Sequence, residues 1–89
     1  MLKQRLSIIN KLGLHARAAA KFVDVASRYQ SDIDVQCNGQ SANGKSIMSV
    51  MLLAAAQGSE LDVTITGDDE TEAMAGLAAL LAARFDEPE

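Results

Sequence analysis

The sequence predicts an α+β fold, an open-faced β-sandwich in the order βαββαβα, with a four-stranded antiparallel sheet covered on one face by three helices. Three observations predict it. Three stretches alternate apolar and polar residues with period two, and three others carry apolar residues at helical spacing. In addition, an Asn-Gly pair follows one extended stretch directly. Period-two alternation describes strands with one buried face and one wet face, the habit of antiparallel sheets. The buried face then needs a layer of helices over it. A ferredoxin-like βαββαβ pattern with one extra helix is the nearest alternative.

In the first strand Leu2, Leu6 and Ile8 face one way, while Lys3, Arg5 and Ser7 face the other. Gly13 marks a turn, His15 takes the cap position, and Ala16-Arg17-Ala18 form the first turn of a helix. Along that helix Ala19, Phe22, Val23 and Ala26 share an apolar face; Arg17, Lys21, Asp24 and Arg28 share a polar one. In the second strand Ile33, Val35 and Cys37 oppose Asp32, Asp34 and Gln36. Asn38-Gly39 tolerates positive φ and favours a two-residue type I′ hairpin, which leaves residues 40–43 as a short third strand.

A second helix is expected from near Ser46, as its N-cap, to a stop at Gly58. Leu61, Val63 and Ile65 then alternate with Glu60, Asp62, Thr64 and Thr66 in the fourth strand. After Gly67-Asp68 the third helix begins, with Asp69 as cap and Glu70 and Glu72 at the positive end of its dipole. Met74, Leu77 and Leu81 give it an apolar stripe, and Pro88 lies beyond its end. With no repeat, linker or low-complexity segment, residues 1–89 read as one domain.

Composition narrows the function classes. At 89 residues the core is at the small end of independent stability. Compact-domain scaling gives a radius of gyration of about 12 Å, too small for a deep enclosed cleft. Function should therefore sit on the surface, with a partner protein excluding water. A net charge of −4, no Trp, one Tyr and two Phe argue against a nucleic-acid surface. No apolar run approaches the roughly 20 residues of a membrane span, and the first residues lack the apolar core of a secretory signal. Cys37 is alone, so no internal disulfide can form, which suits a reducing compartment. The expectation is a soluble, cytoplasmic, monomeric protein with neither nucleic acid nor membrane as partner.

His15 is the single histidine, and its setting makes it the candidate for chemistry. At a helix start the backbone N–H groups of Ala16 and Arg17 are free, and the dipole adds about half a positive charge. The guanidinium of Arg17 offers planar donors suited to phosphate oxygens. An imidazole has an ordinary pKa of about 6.5 and is a competent nucleophile near neutrality. Small residues at Ala16, Ala18, Ala19 and Ala20 are expected to leave room for a partner. In the plainer account His15 only caps the helix, which leaves Arg17 unexplained.

The segment Asn10-Lys11-Leu12-Gly13-Leu14-His15-Ala16-Arg17 closely resembles the active-site signature of HPr-type phosphocarriers of the phosphoenolpyruvate-dependent phosphotransferase system. Gly44-Lys45-Ser46-Ile47-Met48 resembles the serine segment of that family, and element order and length agree over nearly the whole chain. The closing Arg84-Phe85-Asp86-Glu87 is similar to the nitrogen-regulatory branch, NPr. The resemblance implies sheet order 1-4-2-3 and transient phosphorylation of His15, on Nδ1. It implies enzyme I as donor, an enzyme IIA-type acceptor, and a stoichiometric relay in place of an enzyme. No cofactor is implied. One departure is Ala18, where the family commonly has proline; alanine restores an N–H donor but sets φ less firmly.

Other signals compete. Gly39 to Ser46 spell the G-x-x-x-x-G-K-S of nucleotide-binding phosphate loops. A hairpin at Asn38-Gly39 would instead put residues 40–43 in a strand, and the chain is short for the parallel sheet that carries such loops. Ser46 reads as a helix cap; in some relatives the matching serine is phosphorylated by an HPr kinase/phosphorylase, which shuts down transfer. The second helix is apolar on more than one face. Ile47, Val50, Met51 and Ala54 could fill the core and leave Met48 and Leu52 to spare. The functional reading makes Ile47, Met48, Met51 and Leu52 a partner-docking surface beside His15. Cys37 reads as an inert core residue. The aspartates at 32/34 and 68/69 read as a wet strand face and a helix cap, so no metal is expected. A third class, a non-phosphorylated interaction module, is opposed only by His15 and Arg17.

Overall fold

The computed structural model describes residues 1–89. Four strands, β1 (Leu2–Ser7), β2 (Asp32–Cys37), β3 (Gln40–Asn43) and β4 (Glu60–Thr66), form one antiparallel sheet in the order β1-β4-β2-β3. Three helices, α1 (Ala16–Ala26), α2 (Ile47–Leu52) and α3 (Glu70–Ala82), complete the expected order.

Register places the alternating residues in rows across the sheet. Leu2, Ile65 and Ile33 are neighbours, as are Val63, Val35 and Ala42. These rows face the helices and, with Leu2 packed against the edge, join Phe22, Val50, Leu77 and Phe85 in one core of 22 buried residues. The other face is polar, with Arg5 opposite Asp62 at 2.9 Å, an exposed pair that contributes little to stability. Asn38 and Gly39 both take positive φ, 51° and 81°, as a type I′ turn requires.

The second helix departs from expectation. It ends at Leu52 and Leu53, and Ala54 turns left-handed with φ 50°. The following residues are needed elsewhere. Ala55 O accepts from Leu14 N, Gly58 N donates to Ile8 O, and Ser59 O accepts from Ile8 N. A helix continuing to Gly58 would consume these groups internally. Gly58, with φ 90°, serves the turn into β4 instead.

The core assignment on α2 also changes. Val50 is the one residue of that helix buried; Leu53 and Ala55 complete the packing. Ile47, Met51 and Ala54 stay exposed, contrary to their expected core role.

Asp69 stands at the start of α3 but its carboxylate caps nothing there. It reaches across the fold to accept from Gln30 N at 2.8 Å and Ser31 N at 3.0 Å, tying α3 to the loop before β2. Hydrogen bonds from the Ser31 hydroxyl, chiefly, and from the Gln30 amide hold this carboxyl below the usual carboxylate range.

Beyond α3 the chain makes one left-handed turn at Arg84, Phe85 and Asp86, with φ of 55°, 53° and 63°. Such backbone costs an L-residue about 1–2 kcal/mol apiece. Burial of Phe85 offsets about 1.5–3 kcal/mol of that. Side-chain ties to α1 and the preceding loop hold the rest: Lys21 Nζ donates to Phe85 O at 2.9 Å, and Lys11 pairs with Glu89 at 3.4 Å. The turn sends the last residues back across the N-terminus of α1.

Candidate functional site

The loop entering α1 is fixed before His15 is reached. Gly13 has φ 68°, and a Cβ there would lie 2.6 Å from Ala55 O, so both conformation and space demand glycine. Asn10, fully buried, donates from Nδ2 to Gly13 O at 2.8 Å and closes the turn. Its Oδ1 is buried without a partner. Leu14 is buried, and its N–H is held by Ala55 O.

His15 follows with extended backbone, φ −77° and ψ −180°, and its carbonyl accepts the first helical bond from Ala19. Its side chain makes no capping hydrogen bond, so the plainer account of His15 as a cap fails. The N–H groups of Ala16, Arg17 and Ala18 have no acceptor within the chain. No acidic residue occupies the first turn of α1. The guanidinium of Arg17 is exposed and forms no ion pair. A cleft of about 280 Å³ opens here, lined by Lys11, Leu12, His15, Arg17, Glu87 and the two residues after it.

The imidazole, 30% exposed, pairs through Nε2 with a carboxylate oxygen of Glu87. Glu87 is 10% exposed, and its other oxygen accepts from Asn10 Nδ2 at 2.9 Å. Burial pushes its carboxyl up. Hydrogen bonds from His15 and Asn10, with the nearby charge of Arg17, outweigh that and leave it below the usual carboxylate range. Nδ1 of His15 makes no hydrogen bond.

His15, Arg17 and the amides of Ala16 and Arg17 therefore meet in one place. The amide of Ala18 joins them, where proline would supply no donor. The small-residue expectation fails in half: Ala18 and Ala19 are fully buried against the core, and only Ala16 and Ala20 face water. Ile47, Met48, Met51 and Leu52 lie outside the cleft, on a helix that packs against α1. Met48 and Leu52 are 66% and 71% exposed, and Leu12, not singled out from the sequence, adds an apolar residue at 67%. Ser46 sits at the N-cap of α2 and accepts from Ser49 N at a long 3.4 Å.

The phosphate-loop alternative fails. Gln40–Asn43 is strand within an antiparallel sheet, Gly44 packs against Ile33, and Lys45 Nζ is spent on Tyr29 O at 2.7 Å. No group of three His, Cys, Asp or Glu side chains could hold a metal ion, and no helix is long and apolar enough to cross a membrane.

Sequence reasoning gave Asn10 and Glu87 no role of their own in this site: Asn10 stands first in the signature segment and Glu87 last in the closing one, but neither position says that the two meet at His15.

Residues 2–83 match the family described as PTS HPr component phosphorylation site. The phosphocarrier protein HPr of Neisseria meningitidis serogroup A is 51% identical over 89 residues, covering all of both chains. Among solved structures, HPr-C-His from Thermoanaerobacter tengcongensis superposes with a TM-score of 0.95 at 42% identity over the full length of both chains. An HPr dimer from the same organism matches with a TM-score of 0.78 at 42% identity, covering 98% of this chain and 100% of that one.

Proposed function

The chain belongs to the HPr family of phosphocarriers of the phosphotransferase system, and from that premise we propose that His15 accepts a phosphoryl group from phosphorylated enzyme I and passes it to an enzyme IIA-type acceptor. The observation that carries this reading is the start of α1, where a partly exposed imidazole, an unpaired guanidinium and three unpaired amides converge. A phosphoryl group on His15 would carry its negative charge into the positive end of the helix. Arg17 would hold its oxygens through charge-assisted hydrogen bonds. The protein acts as a cytoplasmic, monomeric, stoichiometric carrier, and water is excluded by the partner that covers the shallow cleft.

Docking falls to the exposed apolar residues of α2, Ile47, Met48, Met51 and Leu52, together with Leu12. Flexible methionines suit a surface that must fit both a donor and an acceptor. Phosphorylation of Ser46 by an HPr kinase/phosphorylase would set nearly two negative charges at the edge of that surface and weaken docking there.

Incubation with enzyme I and labelled phosphoenolpyruvate tests the reading. One acid-labile label per chain is expected in the parent and none in His15→Ala. Label that survives acid, or that persists in His15→Ala, would overturn it. In the same assay Met48→Glu should demand a several-fold higher carrier concentration for half-maximal rate, and an unchanged requirement would remove α2 from the docking surface.

A further inference from the structure

Burial divides the sulfur atoms of the chain, which belong to four methionines and one cysteine. Met74 and Cys37 lie in the core, each 4% exposed. Met48 and Met51 are exposed on α2, and at a spacing of three they share one face of that helix. Met1 is exposed too, but it belongs to the start of α3, where its amine pairs with Glu70. Susceptibility to oxidants follows access to the sulfur, so the single thiol is withheld from solution. Two accessible thioethers stand together on α2.

We propose that Met48 and Met51 are oxidation sites through which a peroxide reversibly turns off partner docking, while His15 keeps its capacity to take a phosphoryl group. The inference rests on α2 being the docking surface.

In the step itself a lone pair on the thioether sulfur attacks one oxygen of hydrogen peroxide. The S–O bond forms, the O–O bond breaks, and the departing hydroxide takes the proton of the transferred oxygen and leaves as water. Sulfur is oxidised by two electrons and the peroxide is reduced. Methionine sulfoxide reductases reverse the change, with a dithiol as the source of electrons.

Oxidation alters the surface and spares the rest of the molecule. A sulfoxide sets a polar, chiral acceptor where a flexible apolar side chain stood. A partner's apolar groups would cover that oxygen without a donor to satisfy it, and burying an unpartnered polar group opposes binding. Val50 is the residue that α2 buries, so neither sulfoxide enters the core. His15 and Arg17 line the cleft at the start of α1, and neither methionine is part of that lining. The expected signature is weaker docking with unimpaired chemistry.

The test treats the full chain with hydrogen peroxide, removes the peroxide, and locates the added oxygen by peptide mass spectrometry. Met48 and Met51 should each gain one oxygen well before Met74 or Cys37 does. In the enzyme I assay the oxidised protein should need about tenfold more carrier for half-maximal rate, with the maximal rate unchanged. Methionine sulfoxide reductase should restore the parent's requirement. The double variant Met48→Leu, Met51→Leu keeps an apolar surface and Met1, and should dock equally well before and after peroxide. Oxidation of Met74 as fast as Met48, an unchanged requirement after oxidation, or an equal loss in the double variant would overturn the proposal. If Met48→Glu weakens docking and the sulfoxides do not, oxidation alone is struck out. If Met48→Glu has no effect either, the docking surface falls with it.

Discussion

The N-termini of α1 and α3 present the same positive dipole end, yet the chain sets its own acids beside one and leaves the other open. At α3, Asp69, Glu70 and Glu72 supply negative charge, and Glu70 is tied to the Met1 amine at 3.1 Å and to Gly67 N at 3.2 Å. At α1 there is no acid in the first turn, Arg17 adds a cation, and the carboxylates of Glu87 and Glu89 are engaged by His15 and Lys11. The contrast separates a structural helix start from a functional one. A dipole answered internally contributes to stability, whereas one left unanswered costs some stability and is available to an incoming anion.

The comparison breaks most sharply at Arg17. Charge-assisted hydrogen bonds contribute about 1.5–3 kcal/mol, so Arg17→Ala should slow phosphoryl acceptance by about ten- to a hundredfold. Its side chain is exposed and unpaired, so thermal unfolding should be unchanged. Unaltered transfer kinetics would reduce the guanidinium to surface charge.

A smaller effect of opposite sign on two readouts is expected from making α1 resemble α3. Ala16→Glu puts an acid into the first turn, where it should raise stability by about 0.3–1 kcal/mol through the dipole. The same charge would repel the phosphoryl group, and acceptance should fall several-fold. A variant both more stable and equally active would show that the open dipole end has no role in transfer.

The smallest effect on transfer belongs to α3. Asp69→Asn should leave acceptance unchanged while lowering the unfolding temperature, because the link to Gln30 and Ser31 is weakened. The pH dependence has a definite sign. Asp69 is held below its ordinary carboxylate value when folded, so its contribution is complete above about pH 4, near that ordinary value. It is lost as pH falls through the lower native value. The parent should therefore lose stability more steeply than Asp69→Asn as pH falls below about 4, and parallel acid unfolding curves would remove Asp69 from that role.

Much of this was legible in the chain because it depends on near neighbours. Period-two alternation places Ile33, Val35, Val63 and Ile65 on one face whatever the rest of the chain does. Asn38-Gly39 closes its hairpin through local φ preferences, and His15 precedes Arg17 at a helix start within one turn. Tertiary structure decided what these elements do to one another. α2 stops at Leu52 because Ala55, Gly58 and Ser59 are needed by Ile8 and Leu14, and its own apolar residues gave no sign of that competition. Ala18 and Ala19 are buried and not on a docking face because the core lies beneath that side of α1. Asp69 leaves its own helix for Ser31, and Glu87 reaches His15 from the far end of the chain. Those last contacts exist only once the sheet and helices have brought distant segments together, since no local propensity specifies where a free carboxylate will find its partner.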